Sequence, residues 1–291
     1  MHRFDYYTPS TVSEAVDLLR SKGDGGKVLA GGTDLMPQMK ERGRHPKYLV
    51  SLKNVAELRG IGFNEGSGLT VGAGTRMRAL QVEPVVQQRY NVLVQGARLI
   101  GSLQTQNLAT VGGNVCNAAP SADAVPAFIV LDAQATIQGP RATRTLPLVE
   151  VFKGPGQTVL TPDELLTSLQ FGPPLARSAG VYLRHVPRKE LDIAVAGVGV
   201  YVQLDDAKQR ITHVRVCLAS VAPTPIRAPQ AEAALNGQTA TAELFAQAGE
   251  AASRDARPIS DQRGSAAFRR TLVAALTAKA LNQAVAAIRG G

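Results

Sequence analysis

"QTQNLATVGGNVCNAAPSADAVPA", residues 104–127, contains one carboxylate, Asp123, and no basic side chain. It strings together Asn107, Gly112, Gly113, Asn114 and Asn117 with small hydroxyls. A surface loop is normally solvated by Lys and Glu; glycines, amides and hydroxyls suit a backbone that lies against a ligand. Glycine has no Cβ, so the chain approaches a partner closely and adopts positive φ at little cost. Successive amides pointing inward form a nest for anionic oxygens. A second stretch, "VLAGGTDLMP" (28–37), has the same make: apolar sequence, then Gly31-Gly32, then the hydroxyl of Thr33. In the first stretch Thr110 plays that part beside Gly112-Gly113. Two such elements facing each other would suit a pyrophosphate. Asp123 would repel phosphate but accept hydrogen bonds from sugar hydroxyls. The plainer alternative is a pair of tight Gly-Gly turns at strand ends. The residues alone reach a phosphate-bearing cofactor, a dinucleotide, held without a Rossmann fold.

The rest of the chain bounds this reading. It has 291 residues, 44% hydrophobic and 19% charged, an ordinary globular composition that exceeds the usual single-domain size. Two domains are expected. No run of about 18 apolar residues is present, so no membrane span is expected. The start, "MHRFDYYTPSTVSEAV", lacks the apolar core of a secretory signal, which gives a cytoplasmic expectation. Cys116 and Cys217 are the only cysteines and His2, His45, His185 and His213 the only histidines. Neither set has metal-ligand spacing, and two thiols are too few for an iron–sulfur cluster. No metal site is expected on this chain. Net charge is +9. The arginines are scattered and aromatics are only 4% of the chain, so stacking platforms for nucleic acid are scarce. The charge reads as a solvated surface or a face for acidic partners.

Periodicity predicts a helix over 12–22, capped by Thr11 with Glu14 three residues on and stopped at Gly23. Strands are expected at "KVLAGG", "KYLVSL", "LRGIGF" and "LTVGAG". Residues 78–100 read as helices broken at Pro84. "AFIVLDAQATIQG" reads as a strand. "TPDELLTSLQF" reads as a short helical turn, with Thr161 as N-cap and Pro162 at N1. "DIAVAGVGVYVQL" and "ITHVRVCLASV" alternate as antiparallel strands do. Helices follow over 229–235, 241–254 and 264–288. The order suggests an α/β part followed by an α+β part, joined near 172–180.

Other machinery is missing. Gly72-Ala73-Gly74 follows a strand, but Met77 stands where a dinucleotide fingerprint needs Gly or Ala. Gly197-Val198-Gly199 fails in the same way at Val202. There is no phosphate-loop motif of the Walker type and no GxSxG elbow. No acid–base constellation for substrate chemistry is evident, and no catalytic residue is assigned.

At the two glycine stretches the sequence resembles the FAD-binding, medium subunit of the molybdenum hydroxylases of the xanthine dehydrogenase and carbon monoxide dehydrogenase type. Six segments match in order: "FDYYTPSTVSEAVDLL", "LAGGTDLMPQMK", "GSLQTQNLATVGGNVCNAAPSADAVPA", "GPGQTVLTPDELLTSL", "RKELDIAVAGVGV" and "RGSAAFRRTLVAALTAKAL". The resemblance implies an α+β chain. Its FAD-binding domain, of the two-part vanillyl-alcohol-oxidase (PCMH) type, would cover 1–176. A smaller domain with a three-stranded antiparallel sheet and helices would cover 177–291. By resemblance Leu29, Ala30, Gly31, Gly32, Thr33, Asp34 and Leu35 wrap the pyrophosphate. Thr110, Val111, Gly112, Gly113 and Asn114 form the second wall, with Ser102 nearby. Asp123 takes ribityl or ribose hydroxyls, and Leu165 or Leu169 lies near the adenine or the ring. Arg184 stands where relatives place a Lys near the flavin, and Gln106 where they commonly place Arg; Gln106 would then alter a contact to a partner or to the phosphates. Cys116 reads as a packing residue, Tyr182, Tyr201 and His185 near the domain junction as structural rather than flavin-gating, and Arg269 and Arg270 as solvated or interfacial.

The function implied is electron transfer. A large partner subunit would carry a molybdopterin-type molybdenum cofactor and a small one two [2Fe–2S] clusters, in a dimer of heterotrimers with no nucleic acid. FAD here would pass electrons to an external acceptor. A free-standing flavin oxidoreductase of the same fold and a non-enzymatic nucleotide-binding protein are the alternatives.

Overall fold

The computed structural model describes residues 3–41, 43–188 and 191–290. His2, and Lys189 and Glu190 of the "RKELDIAVAGVGV" segment, lie outside them.

The first part is a small parallel sheet. Strands β1 (Asp5–Tyr7), β2 (Gly26–Leu29) and β3 (Tyr48–Ser51) lie in the order β1-β3-β2, with helices α1 (Val12–Lys22) and α2 (Leu35–Glu41) as crossovers. The α1 start follows the sequence expectation: the Thr11 hydroxyl accepts the Glu14 amide. The Glu14 carboxylate reaches back to the Ser10 amide and hydroxyl, which lowers its pKa. Val12, Ala15, Val16 and Leu19 bury one face of α1, at the i, i+3, i+4, i+7 spacing of an amphipathic helix.

The second part is a five-stranded antiparallel sheet covered by helices. Its strands are β4 (Ile61–Asn64), β5 (Gly68–Gly72), β6 (Gln134–Gln138), β7 (Thr143–Pro147) and, after the two-stranded β8 (Phe152–Gly154) and β9 (Gln157–Thr158), β10 (Leu165–Phe171). The order is β4-β5-β10-β6-β7. Between β5 and β6 come α3 (Met77–Val82), α4 (Pro84–Arg89), α5 (Asn91–Arg98), α6 (Leu103–Gln106), α7 (Val111–Asn117) and α8 (Ala124–Val130). Leu69, Val71, Ile137, Leu169 and Phe171 of the sheet pack on Met77, Leu93 and Phe128 of the helices, all at 1% exposure or less.

Two expectations fail here. The strand expected over 127–139 holds only at β6; residues 127–130 are the end of helix α8, and Ala127-Phe128-Ile129-Val130, buried on every side, has no polar face to reveal its period. Leu165–Phe171 is a strand, not a helical turn. Thr161 and Pro162 give a start signal, but the chain turns at Asp163 and pairs with β5 and β6.

The third part begins with β11 (Ser178–His185), β12 (Ala196–Leu204) and β13 (Ile211–Ala219), joined by a two-residue β14 (Ile226–Arg227). The sheet is therefore four-stranded, not three-stranded, in the order β11-β12-β13-β14. Helices α9 (Pro229–Leu235), α10 (Ala242–Asp255) and α11 (Ala266–Gly290) cover one face. α11 is long and apolar enough to cross a membrane by length and composition alone, with mean hydropathy 1.4. Its Val273, Thr277, Ala280, Leu281, Ala284, Val285 and Ile288 are buried against α10, β11 and β12.

β12 is buried on both faces, which its alternating sequence does not announce. α11 covers one side and α8 the other. This explains the Gly197-Val198-Gly199 that mimics a dinucleotide motif. A Cβ on Gly199 would stand 3.2 Å from the Pro126 carbonyl oxygen of α8, and one on Gly197 2.6 Å from the Tyr182 hydroxyl. The glycines admit neighbours, not a ligand.

α8 is pinned to this sheet at both ends. Asp123, just before it, meets Tyr182 and Arg184 of β11. Asp132, just after it and in the left-handed region (φ 51°), meets Arg215 of β13 and Arg227 of β14.

Candidate functional site

A cleft of about 780 Å³ runs between the parts, within the usual range for small-molecule sites. The two glycine stretches meet at it. A Cβ on Gly31 would stand 2.1 Å from the Leu108 carbonyl oxygen, so only glycine allows these backbones to touch. Gly32 has φ +74° and needs glycine for its turn. Gly113 faces Ala30 across the cleft floor.

The stretches are nevertheless different in kind. Gly31, Gly32 and Thr33 form an open turn between β2 and α2. Their amides donate to no backbone acceptor among the described residues. The second stretch is not a loop or a nest. Thr110 caps α7: its hydroxyl accepts the Gly113 amide at 3.0 Å and its carbonyl the Asn114 amide. The amides of Val111 and Gly112 donate to the Thr75 and Ala73 carbonyls. This wall offers side chains and a Cβ-free surface rather than amides. Asn114 Oδ1 is buried there without a hydrogen-bond partner among the described residues, a situation that native structures leave to ligands or water.

Of the expected residues, Ala30 to Leu35, Thr110, Gly112, Gly113, Asn114, Asp123 and Leu165 line the cleft. Leu29, Ser102, Val111, Leu169 and Arg184 do not. Leu29 ends β2, and Ser102 caps α6 by accepting the Thr105 amide. Val111 and Leu169 are fully buried core residues. Arg184 is buried in its ion pair with Asp123 and donates to the Asp192 carbonyl, so it sits behind the wall.

Asp123 is more committed than its sequence context suggested. One oxygen accepts from the Tyr182 hydroxyl at 2.9 Å and the other from Arg184 at 2.5 Å. Burial raises its pKa to about 6, against the pull of Arg184 and Tyr182. Burial, then the facing carboxylate, holds the Tyr182 hydroxyl well above its ordinary range. Each carboxylate oxygen keeps a second lone pair for a ligand hydroxyl. Tyr182 is thus a structural residue that orients Asp123.

Cys116 departs from a packing role. Its side chain is exposed to the cleft, while protein surrounds the thiol on most sides and burial pushes it up to about 12. It is a neutral thiol on the cleft wall.

Sequence reasoning missed Leu99–Gly101, Lys27, Arg44, and Leu191 and Ile193, which also line the cleft. Leu191 and Ile193 come from the third part and are 62% and 47% exposed. Two apolar residues so open to solvent carry a signal of contact, but only the fold shows that they overhang this cleft.

Comparison with known proteins agrees with the geometry. Residues 2–173 match the family model described as FAD binding domain in molybdopterin dehydrogenase. Residues 181–284 match that of the CO dehydrogenase flavoprotein C-terminal domain. The carbon monoxide dehydrogenase medium chain of Hydrogenophaga pseudoflava is 34% identical over 282 residues, 97% of each chain. The xanthine dehydrogenase FAD-binding subunit of Escherichia coli O157:H7 is 32% identical over 286 residues, 98% of this chain and 97% of the relative. Among solved structures, a carbon monoxide dehydrogenase from Hydrogenophaga pseudoflava superposes with a TM-score of 0.93 at 35% identity, covering 98% of both chains. The reconstituted CO dehydrogenase from Oligotropha carboxidovorans gives 0.93 at 28%, with the same coverage. Two family models in sequence order, near-full-length relatives and one shared fold lead to a single conclusion: the chain belongs to the FAD-binding subunits of the molybdenum hydroxylases, oxidoreductases of the xanthine and carbon monoxide dehydrogenase type.

Proposed function

We propose that this chain carries electrons, through FAD held in the cleft, from [2Fe–2S] clusters on a small partner subunit to an external acceptor. A large partner carries the molybdenum cofactor and the substrate chemistry, and the complex is a dimer of heterotrimers in the cytoplasm. The proposed division of the chain lies between residues 176 and 177, with a first domain of the vanillyl-alcohol-oxidase type.

The residues present fit FAD. Among the described residues the amides of Gly31, Gly32 and Thr33 have no backbone acceptor, which suits phosphate oxygens, and Asn114 Oδ1 has no donor, which suits a donor on the cofactor. When bound, FAD supplies the conversion between single-electron and two-electron transfer. In this reading Ala30 to Leu35 cradle the pyrophosphate on one side, set in place by Leu29 at the end of β2. Thr110, Gly112, Gly113 and Asn114 face it on the other, backed by the buried Val111, with the two glycines leaving room. Asp123 accepts from sugar hydroxyls through its free lone pairs, Leu165 packs on the flat rings, and Ser102 and Leu169 support the wall. Arg184 orients Asp123 and keeps it charged. Leu191 and Ile193 exclude water from the cleft mouth.

The observation that carries the reading is the pairing, among the described residues, of amides without a backbone acceptor at Gly31–Thr33 with an acceptor without a donor at Asn114, across one cleft. The test is reconstitution. The purified chain is expected to take up FAD and turn yellow, and Gly113→Val to stay colourless while folded. A wild-type protein that ignores FAD, or a variant that retains it, overturns the site. Turnover of a substrate by the isolated chain, without partners, overturns the electron-transfer role.

A further inference from the structure

We propose that Gln106, paired with Gln81, is a positioning residue for the cofactor cleft: it fixes the edge formed by Leu99, Ile100 and Gly101. The inference rests on the reading of the cleft as the FAD site.

Gln106 is 7% exposed and does not line the cleft. A partner subunit or a phosphate therefore does not meet this side chain directly. Its Nε2 donates to the Arg98 and Ile100 carbonyls, each at 3.0 Å. These carbonyls lie where α5 runs out, and the carbonyls of a helix end lack intrahelical partners. Its Oε1 accepts from Gln81 Nε2 at 3.0 Å. Gln81, 3% exposed on α3, also donates to the Ala97 carbonyl. Two buried amides thus hold three carbonyls, of Ala97, Arg98 and Ile100, at the end of α5, and tie α3, α5 and α6 together.

The held segment is the one that faces the cleft. Leu99, Ile100 and Gly101 line it, as does Thr105 one residue before Gln106. Gly101 sits at φ +49°, and a Cβ there would stand 2.9 Å from the Thr105 side chain. The edge therefore has little room to shift against α6, and its position follows from where the amides hold α5.

An amide is the fitting group for this task. It offers donors to the carbonyls and an acceptor to Gln81 in one side chain. Arginine, which relatives commonly carry at this position by resemblance, would serve the carbonyls but confront the Gln81 amide with a second donor. In this chain the two glutamines act as a unit.

The test is a double-mutant cycle on FAD affinity with Gln106→Leu, Gln81→Leu and the pair, measured well below the melting temperature. Each single change is expected to weaken FAD binding about tenfold, the effect of one or two lost buried hydrogen bonds. The pair should bind within about twofold of the worse single, because coupled partners are not additive. The visible circular dichroism of bound FAD should change in all three. Glu232→Gln, which loosens its pair with Arg227, neither residue lining the cleft, should lower the melting temperature and leave both readouts unchanged. FAD affinity equal to wild type in the single variants overturns the proposal, even if their melting temperatures fall. Fully additive losses overturn the coupling. Failure of the wild-type chain itself to bind FAD removes the cofactor site, and the positioning role with it.

Discussion

Arg184 and Asp123 meet at 2.5 Å across the junction of two structural parts, with side chains only 6% and 9% exposed. The pair has an electrostatic consequence. Burial raises Asp123 from its ordinary 3.8 to about 6, so the folded state holds a proton that the unfolded state has released between those values. Stability from this group is therefore full below pH 4 and declines as pH rises through 6. A shift of that size corresponds to about 3 kcal/mol. Asp123→Asn should lose the decline between pH 4 and 6 while gaining a pH-independent penalty from an unpaired Arg184. Urea midpoints of both proteins across that range check it; parallel curves would show that Asp123 does not titrate there.

Gly31→Ala should be far more damaging than its size suggests. The new methyl would sit against the Leu108 carbonyl, which is backbone and cannot rotate away. Overpacking of this kind costs about 1–3 kcal/mol. The stretch that carries α7 must move, so loss of FAD is expected alongside loss of stability. Chemical denaturation and the flavin absorbance after reconstitution measure the two effects.

The second clasp of α8 should respond to salt. Asp132 is shared by Arg215 at 2.9 Å and Arg227 at 3.2 Å, and is 46% exposed. Solvent screening limits its worth to about 1 kcal/mol. Asp132→Asn tolerates the left-handed backbone and removes the charge. Its destabilisation should shrink as ionic strength rises, whereas the buried Asp123 pair should be nearly indifferent. Denaturation at low and high salt separates them.

Arg269→Met is expected to cost about 3 kcal/mol or more, against less than about 0.5 for Arg270→Met. The sequence gives no reason to separate these neighbours, both read as solvated or interfacial. Arg269 is 4% exposed and donates to the Val195 and Ser220 carbonyls at 2.7 and 2.9 Å and to Asp261 at 2.7 Å. Arg270 is exposed. Thermal melts of the two variants decide the matter.

Local signals were legible wherever one residue type decides the backbone. Thr11, Glu14 and Gly23 bound α1 where the sequence places it, and Pro229 opens α9. Residues 111–117 were misread because Gly112 and Gly113 are poor helix formers, and the compensations are the Thr110 cap and the contact of Gly112 with Ala73. The site divides in the same way. Gly31, Gly32 and Thr110 announce themselves, while Leu191, Ile193 and Leu99 reach the cleft only through tertiary folding. Ion pairs such as Asp123–Arg184 join residues 61 positions apart and leave no trace in spacing.

The order in which the chain is made bears on α11. Strands β11 to β13 leave the ribosome well before Ala266–Gly290, the helix that shields Val198, Val200 and Val202. Until those 25 residues are synthesised, β11 and β12 of a valine-rich sheet lack their cover on that side, although α9 already packs on β13. Nascent chains halted before Ala266 should recruit chaperones or clump, and release from that state should coincide with the arrival of the last helix rather than with cofactor uptake.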